Sequence, residues 1–453
     1  MASRRICDLI LALVMAATLA AVLSMAFRSA YMAHPDEKDH VGAGQYYMQY
    51  WDPPQVGDER ARAAYSNYGV SYLDQLDAVY FLAGKFACLA KPFVGQDYLA
   101  LRLFNVTLLA GLMVLAWRLP PRLRICFLPL FISAQPWYVF SYFNADALPL
   151  ALSLVAAVLL ARSFDCCAPR DAAADGQETS PSRSVGARPV RVRFGGTFWL
   201  GLTLGLLAIS KQNYYVFLVY FACQWLTQAW LDAGGPGRAA LVRRAGLAFA
   251  LASAIFLVRY GAHVLIGMRQ PPDAVAKVAE QLASDEFKPS KQADGKGFWG
   301  MNMRAHGVTF IQMFTGEWKW HVFTFRSSFG KYGVMDIEPP LIFYRYIGWM
   351  FEAFLAVMLA ALALNGPAGR MSAWLLVLFA ALTVLQSVWH SWTADFQAQG
   401  RYLFPILAMM ACVLPRCRKT PGFYRQALWI VGMGMWGMSL WSFVTVGLAR
   451  IPR

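Results

Sequence analysis

Eleven windows of predominantly apolar residues recur along the chain, near 8–27, 99–118, 123–141, 145–163, 195–210, 213–231, 244–266, 342–364, 372–390, 401–415 and 426–447. Each approaches the roughly 20 residues a helix needs to cross the hydrocarbon of a bilayer. In that medium every backbone N–H and C=O must be satisfied within the segment, which a helix achieves and an open strand does not. Composition agrees: 58% of residues are hydrophobic and 15% charged, against about 25% charged in soluble domains. A soluble enzyme built on one core is excluded. The expected fold is an all-α polytopic membrane protein with about eleven transmembrane helices.

The first window follows Arg4 and Arg5 and is closed by Arg28. It is longer than a signal-peptide core and has no small-residue cleavage site, so it reads as an uncleaved span. The stretch 77–93 (DAVYFLAGKFACLAKPF) is also apolar, but Lys85 interrupts it and Pro92 stops it. Charge decides its place. With 77–93 lying on the surface, the basic connections at Arg118–Arg124, Arg162–Arg193, Arg238–Arg244, Arg370 and Arg416–Arg425 share the side of the N-terminus, as the positive-inside rule requires of cytoplasmic loops. A crossing at 77–93 would move these segments outside. The excess of 41 Lys and Arg over 26 Asp and Glu, a net +15, is thereby a mark of topology and implies no nucleic acid partner.

This topology divides the chain into an N-terminal transmembrane module (1–266) with an external loop at 29–98, an external loop or lid (267–341), and C-terminal transmembrane helices (342–453). The cytoplasmic insert 164–194 is rich in Ala, Pro, Ser, Gly and Arg and is expected to be a disordered linker. Of eight cysteines only Cys88 lies in an external segment, so no external disulfide is expected within the chain. The Cys412–Cys417 spacing lacks partners for zinc, and no metal is assigned.

The string HPDEKDH at 34–40 crowds Asp36, Glu37, Asp39 and His40 just beyond the first span. Pro35 followed by acids is also an ordinary helix start. Asp36 and His40, four apart, share a helix face, where His40 could orient Asp36. A carboxylate at a dry membrane face suits a base. Asp146, in FNADAL, occupies a short external turn, where it or Asn144 could instead cap the next helix. Lys211, in AISKQNYY, and Arg401, in QAQGRYLFP, lie in short connections on the same face. Ionisable groups at membrane depth are costly and read as functional, although both could snorkel. Gly400 permits a close backbone approach, which favours an anion such as phosphate at Arg401, with Gln399 and Tyr402 beside it.

Taken together, the acids after span one, the surface helix, the ALRLFN start of span two, NADAL, SKQN and QGRYLFP resemble the membrane glycosyltransferases of the GT-C superfamily; PDE..H and QGRY resemble its DUF2142 family. The resemblance spans about residues 8–415. It implies Asp36 as the residue that activates the acceptor, with Glu37 and His40 supporting it, and Asp146 as the second acid, which supports the acceptor or a divalent metal. It implies Lys211 and Arg401 as the cations for a polyprenyl-phosphate sugar donor. A divalent cation is left open; no other cofactor is implied. The partners would be that donor, a glycan or lipid acceptor of the cell envelope, and membrane lipids, in a bacterial inner membrane with a cytoplasmic N-terminus. Transfer would invert the anomeric centre on the external, periplasmic face. The competing class is a transporter or flippase of a lipid-linked sugar. It explains the cations, but its charges belong near the midplane between repeated halves, and no repeat is visible.

Overall fold

The computed structural model describes residues 2–74, 77–167, 194–232, 235–292 and 302–453. All eleven apolar windows fall on helical segments. Among the described residues, six helices are long and apolar enough to cross a membrane: Ile6–Arg28, Asp97–Arg118, Gly237–Gly267, Leu341–Ala363, Gly366–Thr393 and Gly422–Leu448. On this ground the chain is an integral membrane protein. The other windows are shorter or divided, so the eleven are not equivalent spans. Ala147–Ser163 and Gly195–Ala208 are apolar but shorter. The window at 123–141 is split by extended Ser133, which stands between Leu128–Phe131 and Ala134–Ser141. Pro136 lacks an N–H and suits the first turn of a helix better than its interior, so a helix restarts there. Its N-cap is Ser133, which accepts from the Gln135 N–H at 3.0 Å. The tenth window likewise becomes a 3-10 turn, Gly400–Leu403, leading into the short helix Phe404–Val413, with Pro405 in its first turn.

Helix α1 (Ala2–Arg28) is followed by α2 (Glu37–Gln49), α3 (Ala78–Val94) and α4 (Asp97–Arg118). Gln45 of α2 donates from Nε2 to Asp97 Oδ2, at the start of α4, at 3.1 Å. Helix α3, expected to lie on the surface, is not among the six helices long and apolar enough to cross. Its inner face, including Val79, Tyr80 and Ala83, is buried, and Gly84 comes so close to α2 that a Cβ there would lie 2.8 Å from the Gly44 carbonyl oxygen. Its outer face leaves Leu89 and Phe93 74% and 86% exposed.

Helix ends sort into two groups. At one end Arg124 pairs with Asp8, Arg416 with Asp232 at 2.5 Å, and Asn365 Nδ2 donates to the Arg416 carbonyl at 2.7 Å. At the other, Arg259 pairs with Asp77, Gln270 bonds both backbone groups of Val56, and Ser284 N–H donates to the Asn67 carbonyl at 2.9 Å. Segments expected to share a side therefore meet one another.

One apolar core joins helices from both sides of the 267–341 loop, with Met25, Leu109, Trp137, Phe217, Ile347, Phe354 and Met410 among its buried members. Where the helices Phe194–Ala208 and Gly235–Gly267 cross, small residues set the spacing. A Cβ on Gly201 would lie 2.8 Å from the Ala248 carbonyl oxygen, and one on Gly205 2.7 Å from Ile255 Cδ1, the close approach that small-xxx-small patterns give in membranes.

The described part of the 267–341 loop divides. Its first helix, Ala274–Leu282, packs on the 55–70 stretch, where a Cβ on Gly69 would meet Ala279. Its second part packs Met303, Met313 and Trp320 against Val388 and Trp392. The insert expected to be disordered falls, over residues 168–193, outside the described residues.

Candidate active site

Asp36 sits at the N-cap of α2 in the left-handed conformation (φ 56°, ψ 12°), and its side chain makes no capping bond. A non-glycine residue there is held by its surroundings, and the clamp is the next residue. Buried Glu37 receives Arg102 of α4 in two parallel bonds, Nε to Oε1 at 2.6 Å and Nη2 to Oε2 at 2.8 Å. The remaining Arg102 donors hold the carbonyls of Ala26 (2.8 Å), Ser29 (2.8 Å) and Ala30 (2.9 Å) at the end of α1. Glu37, expected within the catalytic group, is thus occupied in fixing the α1–α2 turn.

His40 also departs from expectation. Its Nδ1 lies 2.7 Å from the Tyr80 hydroxyl and its ring stacks on Tyr72 with centroids 4.3 Å apart. Its link to Asp36 is the backbone bond from the His40 N–H to the Asp36 carbonyl, 3.1 Å. Burial pushes its pKa down to about 3, so the ring is neutral near pH 7. Asp39, half-buried, is pushed the other way, up to about 6, by burial and by the Asp36 charge.

The NADAL turn assigns its two polar residues different work. Asn144 is the cap: its Oδ1 accepts from the N–H groups of Asp146 (2.8 Å) and Ala147 (3.2 Å). Its Nδ2 is bonded to the carbonyls of Val139 and Tyr142. The Asp146 carboxylate is left for side chains. It pairs through Oδ1 with Lys211 Nζ, and its Oδ2 lies 3.9 Å from Arg401 Nε. Arg401 reaches on to Asp36, Nη2 to Oδ2 at 3.1 Å. Four residues singled out in four separate stretches of sequence therefore form one chain of charges, Lys211–Asp146–Arg401–Asp36. Asp146 is 2% exposed and the Asp36 side chain 44%. Asp36 is the most exposed of the four, Lys211 is partly exposed, and Arg401 and Asp146 are buried.

Around this chain, the Tyr402 ring centroid lies 5.4 Å from Lys211 Nζ, and the Tyr402 hydroxyl donates to Gln397. Two buried polar atoms, Arg401 Nε and Gln399 Oε1, have no hydrogen-bond partner. They border a small pocket lined also by Gln135, Tyr142 and Ser327. Gly400 does permit a close approach, but to protein: a Cβ would lie 2.4 Å from the Ser328 nitrogen, and the Gly400 N–H donates to Ser327 Oγ at 2.7 Å. The expected reason for this glycine, room for an anion, gives way to packing against the helix Trp320–Phe329.

On the other side of Gly400 opens a cavity of about 420 Å³ whose walls are overwhelmingly apolar, among them Phe325, Phe329, Leu355, Met358, Leu403, Phe404 and Leu407. The charged chain and this cavity meet at the Gly400–Arg401 turn.

Among the described residues, no three His, Cys, Asp or Glu side chains come together as metal ligands. Asp36 and Asp146 each already hold a cationic side chain.

Arg102 and Asn105 lie in the ALRLFN motif, which by itself assigns neither a role. Asn105, fully buried, donates to the Tyr142 carbonyl at 2.7 Å, steadying the turn that carries Asp146. A charged and an amide side chain inside an apolar window is the signal that marks them.

No family model matches this chain, which leaves the DUF2142 likeness a resemblance of motifs. No curated protein matches either. Among solved structures the chain is similar to the crystal structure of ArnT from Cupriavidus metallidurans bound to undecaprenyl phosphate, at 15% identity and a TM-score of 0.45, over 96% of this chain and 77% of that one. A likeness at that level fixes neither activity nor ligand.

Proposed function

We propose that this protein is a membrane glycosyltransferase of the GT-C type, moving a sugar from a polyprenyl-phosphate donor to a glycan or lipid acceptor at the external face. The observation that carries the proposal is the junction at Arg401. A buried cation whose Nε faces Asp146 without a hydrogen bond stands beside an apolar cavity of about 420 Å³, and an accessible carboxylate, Asp36, stands 3.1 Å away. An anionic head on a long apolar tail matches the first two features, and an acceptor hydroxyl matches the third.

On this reading Arg401 and Lys211 hold the donor phosphate, and each charge-assisted contact is worth about 1.5–3 kcal/mol. Asp146 fixes both cations from beneath. Asp36 takes the proton of the acceptor hydroxyl as its oxygen bonds the anomeric carbon. The bond from that carbon to the phosphate oxygen breaks, and its electron pair leaves with the polyprenyl phosphate. Attack from the face opposite the phosphate inverts the anomeric centre. The cations stabilise the charge that develops on the leaving group, and holding donor and acceptor together supplies much of the rate.

A transporter reading is less well supported, because the charges lie in turns at one end of the helices and not along a path between two halves. The test is product analysis: the envelope glycans and lipids of cells carrying the wild type, Asp36→Asn or no copy. A sugar-bearing product lost equally in the last two supports a transferase; a product unchanged in Asp36→Asn contradicts it.

A further inference from the structure

We infer that the donor phosphate and Asp36 compete for Arg401, so that donor binding is what releases Asp36 to act. The inference rests on the transferase reading above and deepens it into an order of events. Lys211 and Arg401 are balanced by Asp36 and Asp146, so the group as it stands carries no net charge to attract an anion. One acid must yield. Asp146 cannot do so cheaply: it is 2% exposed, engages both cations, and its turn is locked by Asn144. Asp36 is 44% exposed and holds Arg401 through a single 3.1 Å contact.

With Asp36 displaced, Lys211, Arg401 and Asp146 leave one positive charge, which matches the single negative charge of a sugar phosphodiester. Asp36 is then unpaired beside the acceptor, as a base should be. The reaction closes the cycle. Asp36 takes the acceptor proton and later passes it to the departing phosphate or to water. Once it is a carboxylate again it reclaims Arg401 and weakens the hold on the product. Donor binds first, the acceptor is activated second, and an idle site keeps its base masked.

The test uses the purified full-length chain in detergent, with decaprenyl monophosphate as the probe and titration calorimetry as the readout. Asp36→Asn and Asp36→Ser remove the competing charge and should bind the probe about fivefold more tightly than the wild type. Against an Arg401→Gln background the same substitutions should leave affinity unchanged. Equal or weaker binding in both folded single variants would overturn the inference, as would an identical gain in the Arg401→Gln background. Turnover separates this from the function itself. Loss of turnover without a gain in affinity defeats the masking and spares the transferase; a gain in affinity with wild-type turnover defeats the base and spares the masking.

Discussion

Asn144 Oδ1 accepts the Asp146 backbone N–H at 2.8 Å, and that one bond decides what Asp146 is for. With the cap supplied by its neighbour, the Asp146 carboxylate is free to hold Lys211 and face Arg401. Asn144→Ala should lower stability by at least the ~1 kcal/mol of a lost cap and should reduce donor binding as well, because the turn no longer sets Asp146 against the cations. Thermal unfolding in detergent and probe titration read the two effects separately. A stability loss with unchanged donor affinity would reduce Asn144 to a cap alone.

Asp146→Asn leaves the buried Arg401 and the partly exposed Lys211 under-compensated and should cost about 3 kcal/mol, seen as poor recovery of folded protein. The double variant Asp146→Asn with Lys211→Met removes one cation with the anion and should regain most of that stability without regaining activity. Recovery of activity in the double variant would show that neither residue contributes to donor binding.

Asp39 predicts a pH effect with a definite sign. Its carboxyl is raised from 3.8 to about 6 in the fold, so the folded chain binds more protons than the unfolded one between those values, and stability falls as pH rises through that window. The wild type should lose melting temperature relative to Asp39→Asn between pH 4 and 6. The effect is small because the group is only half-buried. A constant difference between the two proteins across this range would show that the carboxyl is not perturbed.

The long apolar helices are legible in sequence, because an apolar window carries a large free-energy signature in a bilayer, and the four charges singled out in separate short connections lie together in the fold. Pairing was not legible. Glu37 and Asp36 are adjacent acids in one string, and only the third dimension shows that Arg102, 65 residues on, takes Glu37 and leaves Asp36 to Arg401. The i,i+4 spacing of Asp36 and His40 suggested a contact, but the aromatic pocket of Tyr72 and Tyr80 claims the imidazole. Hydropathy also overstated the regularity of the spans: a window average does not register Ser133 or Pro136 dividing a helix.

Sidedness can be checked chemically. After replacement of all eight native cysteines, single cysteines at the exposed positions Tyr68 and Ile311 should react with an impermeant maleimide from one side of the membrane, and one at the exposed Phe423 from the other. The positive-inside pattern makes the first side external. Labelling of all three from the same side would contradict the topology and with it the external site.

In the proposed mechanism Asp36 is the base and Glu37 part of its support. The most direct measurement is sugar transfer by purified Asp36→Asn protein, using the donor and acceptor identified by product analysis. The expected result is a folded protein that binds donor at least as tightly as the wild type and turns over about a hundredfold more slowly or worse. Transfer at the wild-type rate would contradict it.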